Sequence, residues 1–327
     1  MASPAVTADR VAGSPGWRDF LRRLRAGDTI AHAIVLVFAA SILLITVLLL
    51  IELWGNSALS RAKFGWGFFT ASAWDPVAGE FGALPFIYGT AMTSFLALLL
   101  SVPLGLGAAI FLAEMAPPGI SDSLTFVIEL LAAVPSVIYG LLGVFVLVPI
   151  MRQVVEPGLI KSLGFLPLFR GPSYGVGMLT SSVVLAIMIL PFVVSISREA
   201  LMGVPREQRE AALAVGATRW ESTWQVVVPF ARLGIIGSVF LALARALGET
   251  MAVTMVIGND PRISSSLLAP GYSIAAVIAN EFTEATADLH LSALIELGLV
   301  LFLLTVVING LGRLLVLTTT RKGTAQS

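Results

Sequence analysis

Two charges sit where charge is expensive. Arg245 and Glu249 lie four residues apart inside a long apolar stretch at about 232–258. On a continuous helix that spacing puts both on one face. An arginine at mid-bilayer costs about 2.5–3.5 kcal/mol on insertion scales, so something must offset it. Either the two side chains form an ion pair that locks helix packing, or Arg245 lines a path for an anion while Glu249 holds it in place and limits its affinity. The two roles can coexist. A guanidinium fork suits a phosphate-like oxyanion. Too tight a grip would trap the ion, so passage calls for a partly neutralised arginine. Glu129, Glu296 and Asn309 are further polar residues in apolar surroundings. The two glutamates fall near the ends of expected spans, where a carboxylate reaches water, and all three are read as structural.

A second constellation lies on the polar stretch 198–231. Glu210-Ala211-Ala212 is followed after three residues by Gly216, and after nine more by Val226-Val227-Val228-Pro229. Pro205 suits the first position of a helix, where its missing donor is harmless. Glu207 then complements the helix dipole. Gly216 can take the left-handed stop conformation. Thr218 and Glu221 spell a capping box for another helix. The expectation is a short helix at about 205–215, a sharp turn, and a second helix returning to the apolar region. Ala211, Ala212 and Ala214 make a small-residue surface that lets a partner's backbone approach closely. Arg206, Arg209 and Glu210 flank it with charges that can fix docking register.

Most other chemistry is excluded. There is no cysteine, which removes disulfides, iron–sulfur clusters and thiol catalysis. His32 and His290 are the only imidazoles and lie far apart, so a histidine-based metal site is not expected. Lys63, Lys161 and Lys322 are the only lysines, and none closes a G-x-x-x-x-G-K-[ST] pattern. No nucleophile–base pair is apparent. The expectation is a non-catalytic chain with no cofactor and no metal of its own. Its formal net charge of zero argues against nucleic acid as a partner.

The elements that must position these residues are membrane helices. The chain has 327 residues, 57% hydrophobic and 12% charged, with a mean hydropathy of +0.93. Soluble domains are about a quarter charged. Six segments are long enough to span: about 30–53, 85–113, 124–151, 175–197, 232–258 and 291–316. Pro103, Pro135 and Pro191 interrupt three of them, which is tolerated only where neighbours satisfy the freed backbone groups. With the N-terminus inside, thirteen lysines and arginines fall on inner segments and six on outer ones. The positive-inside rule then places both termini and the 198–231 loop in the cytoplasm. The outer segments, about 54–84, 152–174 and 259–290, are too short to be binding domains. The expected organisation is a cytoplasmic arm (1–29), a six-helix domain (30–316) and a cytoplasmic tail (317–327), with the arm and the chain after Thr318 loosely ordered.

The segment REALMGVPREQREAALAVGATRWESTWQVVVP resembles the cytoplasmic coupling loop of permease subunits of ABC importers. Val226 and Val228 stand where isoleucine and leucine are usual. RALGETMAVTMVIGN, AAVPSVIYGLLGVFVLVP and PGYSIAAVIANEFTEA narrow the resemblance to phosphate-specific permeases of the PstC type. The likeness runs from about the first span to the sixth. It implies an all-α membrane protein of the type I ABC importer permease architecture, with a cytoplasmic coupling helix, in a bacterial plasma (inner) membrane. It implies a homologous permease of the PstA type, two PstB-type ATPase subunits that bind ATP and magnesium, and a PstS-type phosphate-binding protein outside. The family's motifs place the transport-linked charges on Arg245 and Glu249, and the ATPase-coupling surface on Glu210, Ala211, Ala212 and Gly216. A permease for sulfate or phosphonate, and a carrier driven by an ion gradient, are the alternatives. The second would call for midplane charges in both halves, and only the fifth span carries such a pair.

Overall fold

Hydrocarbon offers no water to backbone N–H and C=O groups, so an apolar segment must satisfy them within itself, and a helix does so. The computed structural model describes residues 28–324, and among these six helices are long and apolar enough to cross a membrane. Residues 1–27, which hold most of the expected N-terminal arm, lie outside the described residues.

The chain divides into two units at Gly55 and Asn56. The described part of the first, 28–55, is all but the last residue of the helix α1 (Asp28–Asn56), uncharged from Ala33 to Ile51. The second unit opens with α2 (Ala58–Phe64), α3 (Gly67–Thr70) and a hairpin of β1 (Trp74–Asp75) and β2 (Glu80–Phe81). Asp75 Oδ1 closes that hairpin by accepting from the N–H groups of Val77 and Ala78 at 2.9 and 3.0 Å. Next come the span α4 (Leu84–Met115), the helix α5 (Pro118–Ala133), and the spans α6 (Ser136–Leu163) and α7 (Met178–Met202). After them follow the short helix α8 (Arg206–Ala214), the span α9 (Arg219–Leu247), α10 (Met251–Thr254), α11 (Ile274–Glu281) and α12 (Asp288–Thr324).

α7 is the most buried span and packs between α4 and α9. Small residues set the spacing. A Cβ on Gly105 of α4 would lie 2.7 Å from Val193 Cγ1 of α7, and one on Gly234 of α9 would lie 2.4 Å from Ala200 Cβ. The hydroxyls of Ser197 and Ser238 meet at 2.8 Å between α7 and α9. One core cluster joins α6, α7 and α9 through Tyr139, Leu185, Ile189 and Ala242. A second lies at the hairpin end around Phe68, Phe81, Phe86, Tyr272 and Leu294. A third lies at the far end of α4 around Ile110, Leu112, Leu201 and Val227.

Two expected spans are redrawn. The third does not run over 124–151. Val134 and Pro135 are extended (ψ 129° and 139°), as the residue before a proline prefers, so the chain breaks there. The span is 136–163, and Glu129 belongs to the separate helix α5. Tyr139 donates its hydroxyl to the Leu131 carbonyl at 2.7 Å, bridging the break. The fifth span does not continue to 258: α9 ends at Leu247, and Gly248 caps it. At the other end the last helix continues past Thr318 to Thr324 instead of leaving an irregular tail.

Gly89 shows the tolerance of this packing, since a Cβ there would lie 2.1 Å from the Tyr272 carbonyl oxygen. Gly89→Ala is expected to destabilise by about 1–3 kcal/mol and lower the melting temperature in detergent. Gly107→Ala in the same helix, where nothing lies within 4 Å, is the control that should not.

Candidate functional site

The α8 region forms as its local sequence dictates, with one shift. Pro205 is the residue before the helix (φ −56°, ψ 142°), not its first residue. At the other end Gly216 adopts φ +91°. The Ala217 N–H bonds the Ala212 carbonyl at 3.1 Å and the Gly216 N–H bonds the Leu213 carbonyl at 3.0 Å. These two bonds make a Schellman stop. Thr218 Oγ1 accepts from the Glu221 N–H at 3.3 Å while Glu221 Oε2 accepts from the Thr218 N–H at 2.8 Å, completing the capping box. α9 then starts, and its turn at Thr223–Val227 is π-helical.

The face that α8 leaves open holds Glu210, Ala211 and Ala214, followed by Val215, Gly216 and Trp220. Val215 is 86% exposed. Ala212 turns the other way and is buried. Of the four expected coupling residues, therefore, Glu210, Ala211 and Gly216 are open to a partner and Ala212 seats the helix. Arg209 departs more sharply from expectation. It turns inward and pairs with Glu114 at 2.9 Å instead of flanking the open face. The sequence did carry a signal for this partner: Glu114 is the only charged residue between Leu84 and Ser121.

Arg245 and Glu249 do not share a helical face, because α9 stops between them. No ion pair joins them among the described residues. Glu249 Oε1 instead accepts from the Ala252 N–H at 3.2 Å, at the start of α10. The Arg245 guanidinium lies over the Phe192 ring, 4.5 Å from its centroid, and its buried Nε has no hydrogen-bond partner. A cation on an aromatic face is stabilised by the ring quadrupole, by about 2 kcal/mol when desolvated. No carboxylate pairs with Arg245 among the described residues. Phe192 is not legible in the sequence, where one phenylalanine in an apolar span carries no signal.

Of the other polar residues, Glu296 does not reach water: it is 2% exposed, and its Oε2 has no hydrogen-bond partner. Asn309 is exposed and bonds the Thr305 carbonyl at 2.9 Å. At the hairpin end Glu281 Oε2 accepts from Trp74 Nε1 at 2.9 Å and lies 3.1 Å from His290 Nε2. Burial pushes the Tyr272 hydroxyl up to about 12, against an Asn280 hydrogen bond that lowers it. In the loop after α10 the Arg262 guanidinium beside Asp260 holds that carboxyl below its ordinary value.

Two separate centres result: a small-faced peg at one end of the bundle, and an unneutralised arginine within it. Comparison with known proteins bears on both. Residues 101–320 match the family described as binding-protein-dependent transport system inner membrane component. The chain is 47% identical over 316 residues to a Mesorhizobium japonicum protein named phosphate transport system permease protein PstC, covering 95% of this chain and 94% of that one. It is 45% identical to a protein of the same name from Xylella fastidiosa, covering 94% and 96%. Among solved structures it resembles a bacterial ABC transporter involved in the import of the acidic polysaccharide alginate, with TM-score 0.57, 17% identity, and 91% and 98% coverage. It also resembles the inward-facing MetNI methionine ABC transporter, with TM-score 0.55, 17% identity, and 75% and 99% coverage. At that identity the structures establish the fold, which is that of type I ABC importer permeases.

The capping box makes the peg's exit testable. Thr218→Ala removes the side-chain acceptor at the start of α9 and should cost about 1 kcal/mol locally. Amide hydrogen exchange at Glu221 and Ser222, whose N–H groups bond Thr218, should then quicken by roughly fivefold, that energy expressed as a rate. Unchanged protection would show that the box does not hold this turn.

Proposed function

Because this chain belongs to the family of binding-protein-dependent transport system inner membrane components, we propose that it is the permease subunit of an ATP-driven importer of inorganic phosphate. Near-full-length similarity to proteins named for phosphate transport carries the choice of substrate. A guanidinium over the Phe192 ring, with its Nε unpartnered and no carboxylate paired to it among the described residues, supports it, since such a group suits a tetrahedral oxyanion.

In this reading the membrane is the bacterial inner membrane, and both termini and α8 face the cytoplasm. A homologous permease of the PstA type completes the path. An extracytoplasmic PstS-type protein delivers phosphate to the hairpin end. Two PstB-type ATPase subunits bind and hydrolyse ATP with magnesium, and this chain does no ATP chemistry. The ATPase grips the face made by Glu210, Ala211 and Gly216, while Ala212 seats α8 against the bundle. Closure of the ATPase dimer moves α8, and the bundle rocks between outward and inward openings. Such alternating access needs two packings of similar energy, biased at the docking element. Phosphate meets Arg245 on the way. Glu249, held at the α10 start, lowers the local potential without occupying the guanidinium.

Two substitutions test the two centres. Nothing lies within 4 Å of a Cβ on Gly216, so Gly216→Asp meets no clash; its φ of +91° strains the new side chain by about 1 kcal/mol at the stop alone, and Gly216→Asn, which carries the same strain without the charge, is the control. Gly216→Asp should abolish co-purification of the ATPase while leaving the melting temperature within a few degrees; normal co-purification would refute the docking surface. Arg245→Gln should lower uptake of labelled phosphate by about tenfold or more, as loss of a charged hydrogen-bonding partner implies, with the complex intact. Full uptake would reduce Arg245 to packing. Competition by excess sulfate or phosphonate would move the substrate to another oxyanion.

A further inference from the structure

α8 buries little of its own apolar surface. Its one buried residue is Ala212, a single methyl. Burying a group of that size contributes under about 1 kcal/mol. Arg209, by contrast, uses all three guanidinium nitrogens. Nε lies 3.3 Å from both Glu114 oxygens, and Nη2 lies 2.9 Å from Glu114 Oε1 and 2.7 Å from the Leu201 carbonyl. Nη1 donates to the Val204 carbonyl. Glu114 sits in the π-helical last turn of α4, and Leu201 in the last turn of α7. One planar fork on α8 thus grips the ends of two spans at once. The pair is mostly buried, with side chains 22% and 12% exposed. A cavity of about 130 Å³ lies beside it, lined by Leu213, Arg219, Ser222 and Thr223 as well as the pair.

We propose that Arg209 and Glu114 are positioning residues that pass displacement of α8 into α4 and α7, so that movement at the docking face becomes movement of the path. This rests on the reading of α8 as the ATPase-docking helix. The geometry separates the two tasks. The open face of α8 meets the motor, whereas Arg209 faces the opposite way and, among the described residues, meets Glu114 of α4, Leu201 of α7 and the Val204 carbonyl just after it. A lysine at 209 would keep the charge and has room beside the cavity, but a point charge on a flexible stem cannot hold a carboxylate and two carbonyls in one plane.

The test uses the complete importer in liposomes, with ATPase and binding protein present, and reads phosphate moved per ATP hydrolysed. Arg209→Lys and Glu114→Gln should each lower that ratio by about tenfold, within the usual range of coupling between sites, while the ATPase stays bound and hydrolysis continues. The double variant should be no worse than the poorer single one, because the two act as a unit. A purely structural role would reduce the yield of complex and leave the ratio unchanged; that result overturns the proposal. So would additive losses, or release of the ATPase by Glu114→Gln, which would make the pair part of the docking surface. If Arg209→Lys fails to assemble, Glu114→Gln alone decides. Failure of the docking reading itself shows elsewhere, as an ATPase that stays bound to Gly216→Asp.

Discussion

Backbone proximity is the constraint on which this bundle rests. Lipid tails are as apolar as leucine, so burying leucine between membrane helices gains little, and association relies on close van der Waals contact and hydrogen bonds between helices. The glycines of α4, α6 and α9 provide that contact. Gly140 and Gly143 of α6 leave room for Ala252 Cα and Val256, which a Cβ would meet at 3.2 and 2.8 Å. Gly105 and Gly234 do the same on either side of α7. With α7 clasped this way, the ends of α4, α7 and α9 converge on the cluster around Ile110, Leu201 and Val227. At that same end Arg209 of α8 reaches Glu114 and the Leu201 carbonyl.

Where the helices break, side chains take over from the ladder. Irregular backbone at membrane depth persists only if something satisfies it. Tyr139 serves the end of α5, and Glu249 serves the start of α10. The break after Leu247 also explains the state of Arg245. Had α9 run on, the carboxylate would have come round to the guanidinium one turn later. Because it stops, the carboxylate is occupied by a backbone N–H and the guanidinium rests on an aromatic ring. A charge neutralised by its own neighbour would have little left for an anion.

Features set by neighbours in sequence were legible before the structure. The stop at Gly216 and the Thr218–Glu221 box depend on a few adjacent residues, and both formed as read. Span number was legible because hydrocarbon thickness demands a fixed length of apolar chain. The third span starts later than its apolar stretch suggests, because Pro135 does not kink one helix but separates two. The same-face reading of Arg245 and Glu249 assumed a helix that Gly248 ends. The inward turn of Arg209 lay beyond local reading, since its carboxylate partner is 95 residues away. Spacing within α8 could not say which charges look out and which look in.

The wide turn at Thr223–Val227 has a consequence for the phase of α9. A π turn carries one residue more than the α-helix around it, so the stretch beyond it is rotated by about 100°. Arg219–Ser222 and Val228–Leu247 therefore point their side chains by two different clocks. The portion beside α8 can direct polar groups sideways while the portion in lipid keeps its own seam against α7. A single helical wheel drawn through the whole of α9 would blur both seams into one featureless ring.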